Sequence, residues 1–137
     1  MKKDDQELRL AIQRLARRIR SMQADEPVTE GQRAVLFALS MNGPLSLRSL
    51  SEHERVTPPS MSRTINALIE LGLVTRQSAT DDARKVSLDL SPSGADFIDE
   101  TRRRRDAWFT MRMNSLPTDQ RRLLLEVAPI LRDLADS

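Results

Sequence analysis

Cysteine and tyrosine are absent from this sequence of 137 residues, and histidine and tryptophan each occur once. Without cysteine, the chain can form no disulfide, no thiolate metal site and no thiol redox sensor. The single histidine, His53, also argues against a histidine metal site or a catalytic triad within one chain. We therefore predict that the protein uses no metal and no cofactor.

Glycine is scarce as well, with four residues in the whole chain, and none of them lies in a glycine-rich phosphate loop. A nucleophile paired with a neighbouring base is also missing from the pattern of residues. We predict that the protein is not an enzyme.

Long apolar runs are missing too, since none approaches the roughly 20 residues needed to span a bilayer. The segment Met1-Lys2-Lys3-Asp4-Asp5 leads into an amphipathic helix and not into the apolar core of a signal peptide. These features predict a soluble, cytoplasmic protein with no membrane partner.

Neither sign of charge dominates, because the net charge is only +2 although charged residues make up 31% of the chain. Any nucleic-acid site must therefore come from the arrangement of the charges and not from their total. Apolar residues make up 39%, which is enough for a small core. A charge-rich chain of this size often completes its core by pairing with a second copy.

Apolar residues spaced by four and three positions predict a helix at each end of the chain, over about residues 4–22 and again after Pro117. Two heptads are too few for a stable isolated coiled coil, so each seam must pack on the body of the same chain or on a partner. The seams consist of Leu8, Ile12, Leu15 and Ile19 in the first helix and of Leu123, Val127, Ile130 and Leu134 in the last.

Capping signals predict two short helices after the first. Thr29 and Gln32 match a capping box at the start of the second helix. Ser46 can cap a third helix over residues 47–53.

A fourth helix begins at Thr57-Pro58-Pro59, because proline in a first turn loses no hydrogen bond. Gly72 is the expected residue just beyond its end. We expect its inward-facing stripe to consist of Met61, Ile65, Leu68 and Leu71.

A two-stranded hairpin follows directly. The first strand is predicted over residues 73–76, and the alternation of Val86, Leu88 and Leu90 predicts the second. Ser91-Pro92 then opens a fifth helix that reaches about residue 115. A helix-turn-helix followed by a hairpin is the winged-helix arrangement. We predict a mainly α fold with a small β-hairpin wing, flanked by N- and C-terminal helices.

The order and spacing of several short motifs resemble the multiple-antibiotic-resistance regulator (MarR) family over nearly the whole chain. One departure is the turn of the helix-turn-helix, which is Glu54-Arg55 here and usually contains glycine in that family. The motifs that carry the resemblance are Val28-Thr29-Glu30-Gly31-Gln32, Val56-Thr57-Pro58-Pro59-Ser60-Met61-Ser62-Arg63, the segment from Leu68 to Val74, Asp82-Ala83-Arg84 and Ser91-Pro92-Ser93-Gly94.

The resemblance implies one MarR-like domain over residues 1–137, with a DNA-binding lobe over 28–91 and dimerisation helices over 1–25 and 92–137. It implies a homodimeric repressor that binds an inverted repeat in double-stranded DNA under the control of a small aromatic or anionic effector. Packing is the simpler interpretation of the apolar cluster Trp108, Phe109, Met111 and Met113, and a wall of an effector pocket is the alternative.

The fourth helix is the expected recognition helix, since arginine can bind guanine and asparagine can bind adenine, each through two hydrogen bonds. Backbone N–H groups at its start are expected to suit a phosphate. An ordinary surface helix with polar residues outward is the alternative, which the adjacent hairpin disfavours. The predicted DNA contacts in this segment are Thr57, Pro59, Ser60, Ser62, Arg63 and Asn66.

In the wing, the resemblance implies that Arg84 enters the minor groove, that Asp82 orients it and that Lys85 adds a further contact. A narrow minor groove concentrates negative potential, which favours arginine. The alternative is a solvated turn with a surface ion pair that contributes little.

The balanced charge of the predicted DNA-binding lobe is also consistent with a second function. Residues 44–90 carry six basic and six acidic side chains, so the lobe is formally neutral. A winged-helix module for protein–protein contact, without DNA binding, is therefore the alternative function. Basic residues in this range are Arg48, Arg55, Arg63, Arg76, Arg84 and Lys85, and acidic ones are Glu52, Glu54, Glu70, Asp81, Asp82 and Asp89.

Overall fold

The computed structural model describes residues 2–22, 28–78 and 86–137. Helices dominate this part of the chain, and two strands form an antiparallel hairpin. The predicted mainly α fold with a β-hairpin wing is confirmed. The elements are α1 (Lys3–Arg20), α2 (Glu30–Asn42), α3 (Leu47–Glu54), α4 (Pro58–Glu70), β1 (Val74–Ser78), β2 (Val86–Leu90), α5 (Pro92–Asn114) and α6 (Thr118–Asp136).

Three of the helices begin at side-chain caps, as the sequence predicts. The Thr29 hydroxyl accepts a hydrogen bond from the Gln32 N–H at 3.1 Å, and the Gln32 side chain accepts one from the Thr29 N–H at 3.0 Å. The Ser46 hydroxyl accepts from the Ser49 N–H, and the Thr57 hydroxyl accepts from the Ser60 N–H. Each cap satisfies a backbone donor that has no partner within its own helix.

The hairpin pairs Val74 with Leu90 at one end and Ser78 with Val86 at the other. A further pairing was not predicted: Leu45, just before α3, forms an antiparallel bridge to Leu88. The Leu45 N–H donates to the Leu88 carbonyl at 3.0 Å, and the Leu88 N–H donates to the Leu45 carbonyl at 2.8 Å. The wing is thus tied at β2 to the segment that enters the helix-turn-helix.

The chain divides into two compact units, one formed by Met1–Met22 with Arg103–Ser137 and the other by Gln23–Arg102. The second unit contains a continuous apolar core built from α2, α3, α4, the hairpin and the start of α5. Its buried members are Val28, Val35, Leu36, Ala38, Leu39, Leu50, Met61, Ile65, Leu68, Leu73, Val74, Leu88, Phe97 and Ile98.

The prediction for one core residue, Leu71, is wrong. Leu71 was expected on the inward stripe of α4, but it is the C-cap residue and is 41% exposed. Each step of three, from Ile65 to Leu68 and from Leu68 to Leu71, falls short of a full helical turn, so Leu71 is rotated away from the inward face. Met61, Ile65 and Leu68 are buried as predicted.

In the first unit, Met113 is the buried apolar side chain among the residues described. Two guanidinium groups lie near the ring of Trp108, with Arg18 at 5.7 Å and Arg112 at 5.4 Å from the ring centroid. These contacts favour the packing interpretation of the aromatic and methionine cluster for Trp108 and Met113, whereas Phe109 and Met111 are exposed.

The helices α1 and α6 bury none of their described residues. Ile19 and Val127 are half-buried, and the other six members of the two predicted seams are exposed. Across residues 2–22, 28–78 and 86–137, every helix is too short or too polar to cross a bilayer.

The start of α5 is held against the turn that follows α4. The Ser91 hydroxyl donates to the Gly72 carbonyl and accepts from the Gly94 N–H, and the Ser91 N–H donates to the Leu73 carbonyl. A Cβ atom built on Gly94 would lie 2.0 Å from the Leu73 carbonyl oxygen. The Ser-Pro-Ser-Gly motif therefore needs glycine at its last position for close approach to a backbone.

We expect Gly94→Ala to lower the free energy of unfolding by about 3 kcal/mol or more, because the added methyl group overlaps a carbonyl that cannot move freely. Gly31→Ala is the matched control. Nothing lies within 4 Å of a Cβ atom at Gly31, and alanine favours the helix by up to about 1 kcal/mol. Urea denaturation followed by circular dichroism measures both, and equal stabilities of the two variants would contradict this account.

Candidate nucleic-acid interface

The turn between α3 and α4 positions the candidate recognition helix. Arg55 adopts the left-handed conformation, with φ 55° and ψ 45°. Its N–H donates to the Glu52 carbonyl at 3.3 Å, and the Val56 N–H donates to the Ser51 carbonyl at 3.1 Å. This hydrogen-bond pattern is the Schellman motif, which usually has glycine at the left-handed residue. An arginine therefore occupies the left-handed position that glycine usually fills in this motif, and the turn geometry is retained.

The same motif ends α4. Gly72 has φ +77°, its N–H donates to the Ile69 carbonyl, and the Leu73 N–H donates to the Leu68 carbonyl. Leu68 and Leu73 are both buried, which supplies the apolar contact that accompanies this motif. The predicted role of Gly72 is confirmed, and the exit direction of the chain into β1 is set at this residue.

One face of α4 is exposed along its whole length. Pro59, Arg63, Asn66 and Glu70 are spaced by four, three and four residues and are all exposed, so they share one side of the helix. We call these four residues the exposed stripe. They lie opposite the buried stripe of Met61, Ile65 and Leu68, and the helix thus presents Arg63 and Asn66 together.

Ser60 and Ser62 lie on the flanks of this helix and are half-buried. The Ser60 carbonyl accepts a hydrogen bond from the Thr64 hydroxyl at 3.2 Å. Both serines can still take part at the edges of a groove, but the exposed stripe itself contains neither. The predicted grouping therefore holds most directly for Pro59, Arg63 and Asn66.

The expectation that backbone N–H groups at the start of α4 suit a phosphate is wrong for this helix. Pro58 and Pro59 have no N–H group, the Ser60 N–H donates to the Thr57 hydroxyl, and the Met61 N–H donates to the Thr57 carbonyl at 2.9 Å. All donors of the first turn are thus absent or already bonded. A phosphate at this end would have to be bound by side chains, among which the exposed Thr57 hydroxyl can still donate its own hydrogen.

Sequence reasoning missed a link between the recognition helix and the wing. Arg76 on β1 donates from Nη2 to Oδ1 of Asn66 at 3.3 Å. Val74 is buried and Arg76 lies two residues further along β1, so both side chains leave the same face of the strand. Only the pairing of α4 with β1 brings the two residues together, and no local pattern in the sequence indicates it.

Three acidic side chains of the described part of the lobe contact neighbouring groups and lie off the exposed stripe. Glu52 pairs with Arg48 at 3.1 Å along α3, and Glu54 contacts the His53 ring at 3.1 Å. Asp89 accepts a hydrogen bond from the Leu90 N–H at 2.8 Å. Glu70 is different, because it lies on the exposed stripe itself. A carboxylate at that position repels a phosphate backbone, so the C-terminal end of α4 is its least favourable part for DNA.

The three predicted wing residues, Asp82, Arg84 and Lys85, lie outside the described residues. Their roles stay predictions from the sequence. The strands that flank them are described, and they bring the two ends of the connecting segment together at Ser78 and Val86.

A helix-turn-helix followed by a hairpin, with a polar exposed stripe on the second helix, defines a winged helix-turn-helix protein. The MarR family model matches residues 28–86. An HTH-type transcriptional regulator of Mycobacterium leprae is 36% identical over 130 residues, which cover 95% of this chain and 91% of the relative. One from Mycobacterium tuberculosis is 35% identical over the same shares.

Solved structures show the same fold. A transcriptional regulator protein of Pseudomonas aeruginosa has a TM-score of 0.87 at 27% identity, covering 100% of this chain and 99% of that chain. A MarR family protein of Bacillus stearothermophilus has a TM-score of 0.81 at 20% identity over 97% and 93%, and shares the fold. The chain belongs to the MarR family of transcriptional regulators.

The left-handed Arg55 generates a prediction about stability. A side chain in this conformation costs about 1–2 kcal/mol, whereas glycine adopts it freely. We expect Arg55→Gly to be about 1 kcal/mol more stable to urea than Arg55→Ala, because both remove the charge and only glycine removes Cβ. Equal stabilities of the two variants would show that the turn stores no such strain.

Proposed function

We propose that this protein is a sequence-specific repressor that binds double-stranded DNA as a homodimer. The observation that carries the proposal is the exposed stripe of α4, where Arg63 and Asn66 lie one turn apart. Both side chain types can read purine edges in the major groove, and the helix that holds them is packed on a core through its opposite side.

The neutral charge of the lobe is compatible with this proposal if α4 enters the groove by its N-terminal half, as recognition helices do. Glu70 lies seven residues beyond Arg63, about 10 Å along the helix axis. In this pose the carboxylate stays away from the base pair that Arg63 reads. Arg84 in the minor groove, oriented by Asp82 and helped by Lys85, would add contacts that sequence alone supports.

A second candidate, protein–protein contact without DNA binding, is favoured by Glu70 on the exposed stripe. The two candidates differ in their dependence on salt. Repression through DNA requires binding that weakens steeply as salt rises, because phosphate contacts release counterions. A gel shift on the gene's own promoter region at several salt concentrations separates the two.

A two-fold dimer carries two copies of α4, so the proposed site is an inverted repeat with half-site centres about 10 base pairs apart. From the family resemblance we also propose that a small aromatic or anionic ligand controls DNA binding. A repressor of this kind acts on the chromosome, so we propose a cytoplasmic location.

Selection of bound fragments from a random DNA pool with the purified protein tests this function and yields the site. On the selected site we expect Arg63→Ala and Asn66→Ala each to cost on the order of 1–3 kcal/mol. The loss on random DNA should be smaller, because non-specific binding rests on phosphates. Arg48→Ala, at an exposed arginine of α3, is the control for lost charge.

One outcome would contradict the proposed function, and another would change only the role of Arg63. No enrichment of any sequence would remove sequence-specific DNA binding altogether. Equal losses on selected and random DNA for Arg63→Ala would make Arg63 a phosphate contact, and base reading would then rest on Asn66, Ser60 and Ser62.

The homodimer has its own test in α6. Ile130 lies on the predicted seam and is 58% exposed, whereas Leu125 lies on the other side of the helix and is 53% exposed. If the seam is buried between two copies, Ile130→Glu should give monomers or aggregates, while Leu125→Glu should stay dimeric. Sedimentation at micromolar concentration measures both, and a well-folded monomer of the unchanged protein would overturn the dimer.

A further inference from the structure

The hydrogen bond between Arg76 and Asn66 connects the wing to the recognition helix at the residue proposed to read a base. Arg76 donates from Nη2 to Asn66 Oδ1 across 3.3 Å, and both residues are exposed. We propose that Arg76 is a positioning residue that orients the Asn66 amide for base reading. This inference rests on the proposed function and adds a specificity-determining residue to it.

The chemistry of the amide makes the orientation matter. Asparagine has an acceptor at Oδ1 and two donors at Nδ2, and adenine is read by donating to N7 and accepting from the N6 amino group. A free side chain can rotate its amide by half a turn, which exchanges the donor and the acceptor. An amide in the wrong orientation presents a donor to the N6 amino group and an acceptor to N7, so it reads nothing.

A guanidinium group beside Oδ1 removes this ambiguity. Arginine has only donors, so the flipped amide would place its NH₂ group against the guanidinium N–H groups. The orientation with Oδ1 toward Arg76 is therefore favoured. Oδ1 has two lone pairs and can accept from Arg76 and from a base at the same time.

The position of Arg76 in the paired strand β1 restricts where its guanidinium group can lie. Its Cα is held opposite Leu88 in the strand pairing, and Leu88 in turn is bonded to Leu45 on its other side. The backbone of Arg76 is therefore hydrogen-bonded to β2, and β2 is itself held on its other edge by Leu45. A side chain oriented before binding loses less rotamer entropy when it meets its partner.

The test compares two DNA duplexes, the selected site and the same site changed at the base pair that Asn66→Ala no longer distinguishes. We expect Arg76→Ala to reduce the ratio of affinities for these duplexes about three- to tenfold, the size of one immobilised side chain. A residue that only attracts phosphates or supports the fold would lower both affinities equally and leave the ratio unchanged. Arg48→Ala should leave the ratio unchanged, since its guanidinium pairs with Glu52.

A double-mutant cycle separates a direct role from a role through Asn66. In the Asn66→Ala background, Arg76→Ala should no longer lower the affinity for the selected site relative to random DNA, because there is no amide left to orient. Full additivity of the two substitutions would overturn the inference. Arg76→Lys should restore part of the ratio, since the ammonium group is a donor but lacks the fixed planar geometry of guanidinium.

A measurement without DNA gives independent evidence. The Nδ2 group of Asn66 should be more mobile on the nanosecond scale in Arg76→Ala than in the unchanged protein, as followed by ¹⁵N relaxation of the side-chain amide. Equal mobility would overturn the inference. Absence of any specific site would overturn both the proposed function and this inference, whereas specific binding with an unchanged ratio would overturn the inference alone.

Discussion

The close approach of Gly94 to the Leu73 carbonyl is the constraint on which the geometry of the candidate DNA-binding face depends. At this junction α4 ends, β1 begins, β2 ends and α5 starts, within a network centred on the Ser91 hydroxyl and N–H. A side chain at Gly94 would separate these elements, because its Cβ would overlap the carbonyl. The start of β1 then sets where Arg76 emerges and whether it reaches Asn66.

The candidate recognition helix α4 is held at both ends by backbone geometry. Arg55 and Gly72 close α3 and α4 by the same Schellman hydrogen bonds. Pro58 and Pro59 contribute no N–H group at the start of α4. The next two N–H groups, those of Ser60 and Met61, donate to the hydroxyl and the carbonyl of Thr57. The proposed DNA contacts of α4 are therefore made by its side chains, and a site on a rigid element positions side chains more accurately than a site on a loop.

The two compact units differ in how they are stabilised. The unit over Gln23–Arg102 has a continuous apolar core of its own. In the unit that includes α1 and α6, the described apolar side chains are mostly exposed. Exposed leucines at heptad spacing lose little by staying in water individually, but together they form an apolar surface of the kind that marks an interaction site. The proposed homodimer is the simplest way to bury that surface.

Local signals in the sequence determined most of the fold. Caps at Thr29, Ser46 and Thr57, the stop at Gly72 and the inward positions of α4 each depend on residues within about four positions, so they can be recognised from the sequence alone. The same local rules failed at Leu71, where the helix ended. The prolines Pro58 and Pro59 also show in the sequence itself that the first turn of α4 lacks two N–H donors.

Only the tertiary structure decided which distant residues meet. The bridge from Leu45 to Leu88 and the bond from Arg76 to Asn66 join positions that are far apart in the chain, and each partner looks like an ordinary strand or surface residue by itself. Periodicity determines which side of an element a residue occupies, and that placed Arg63 and Asn66 on one exposed face. Which element packs beside that face depends on how the core is filled, and this is a property of all its residues together.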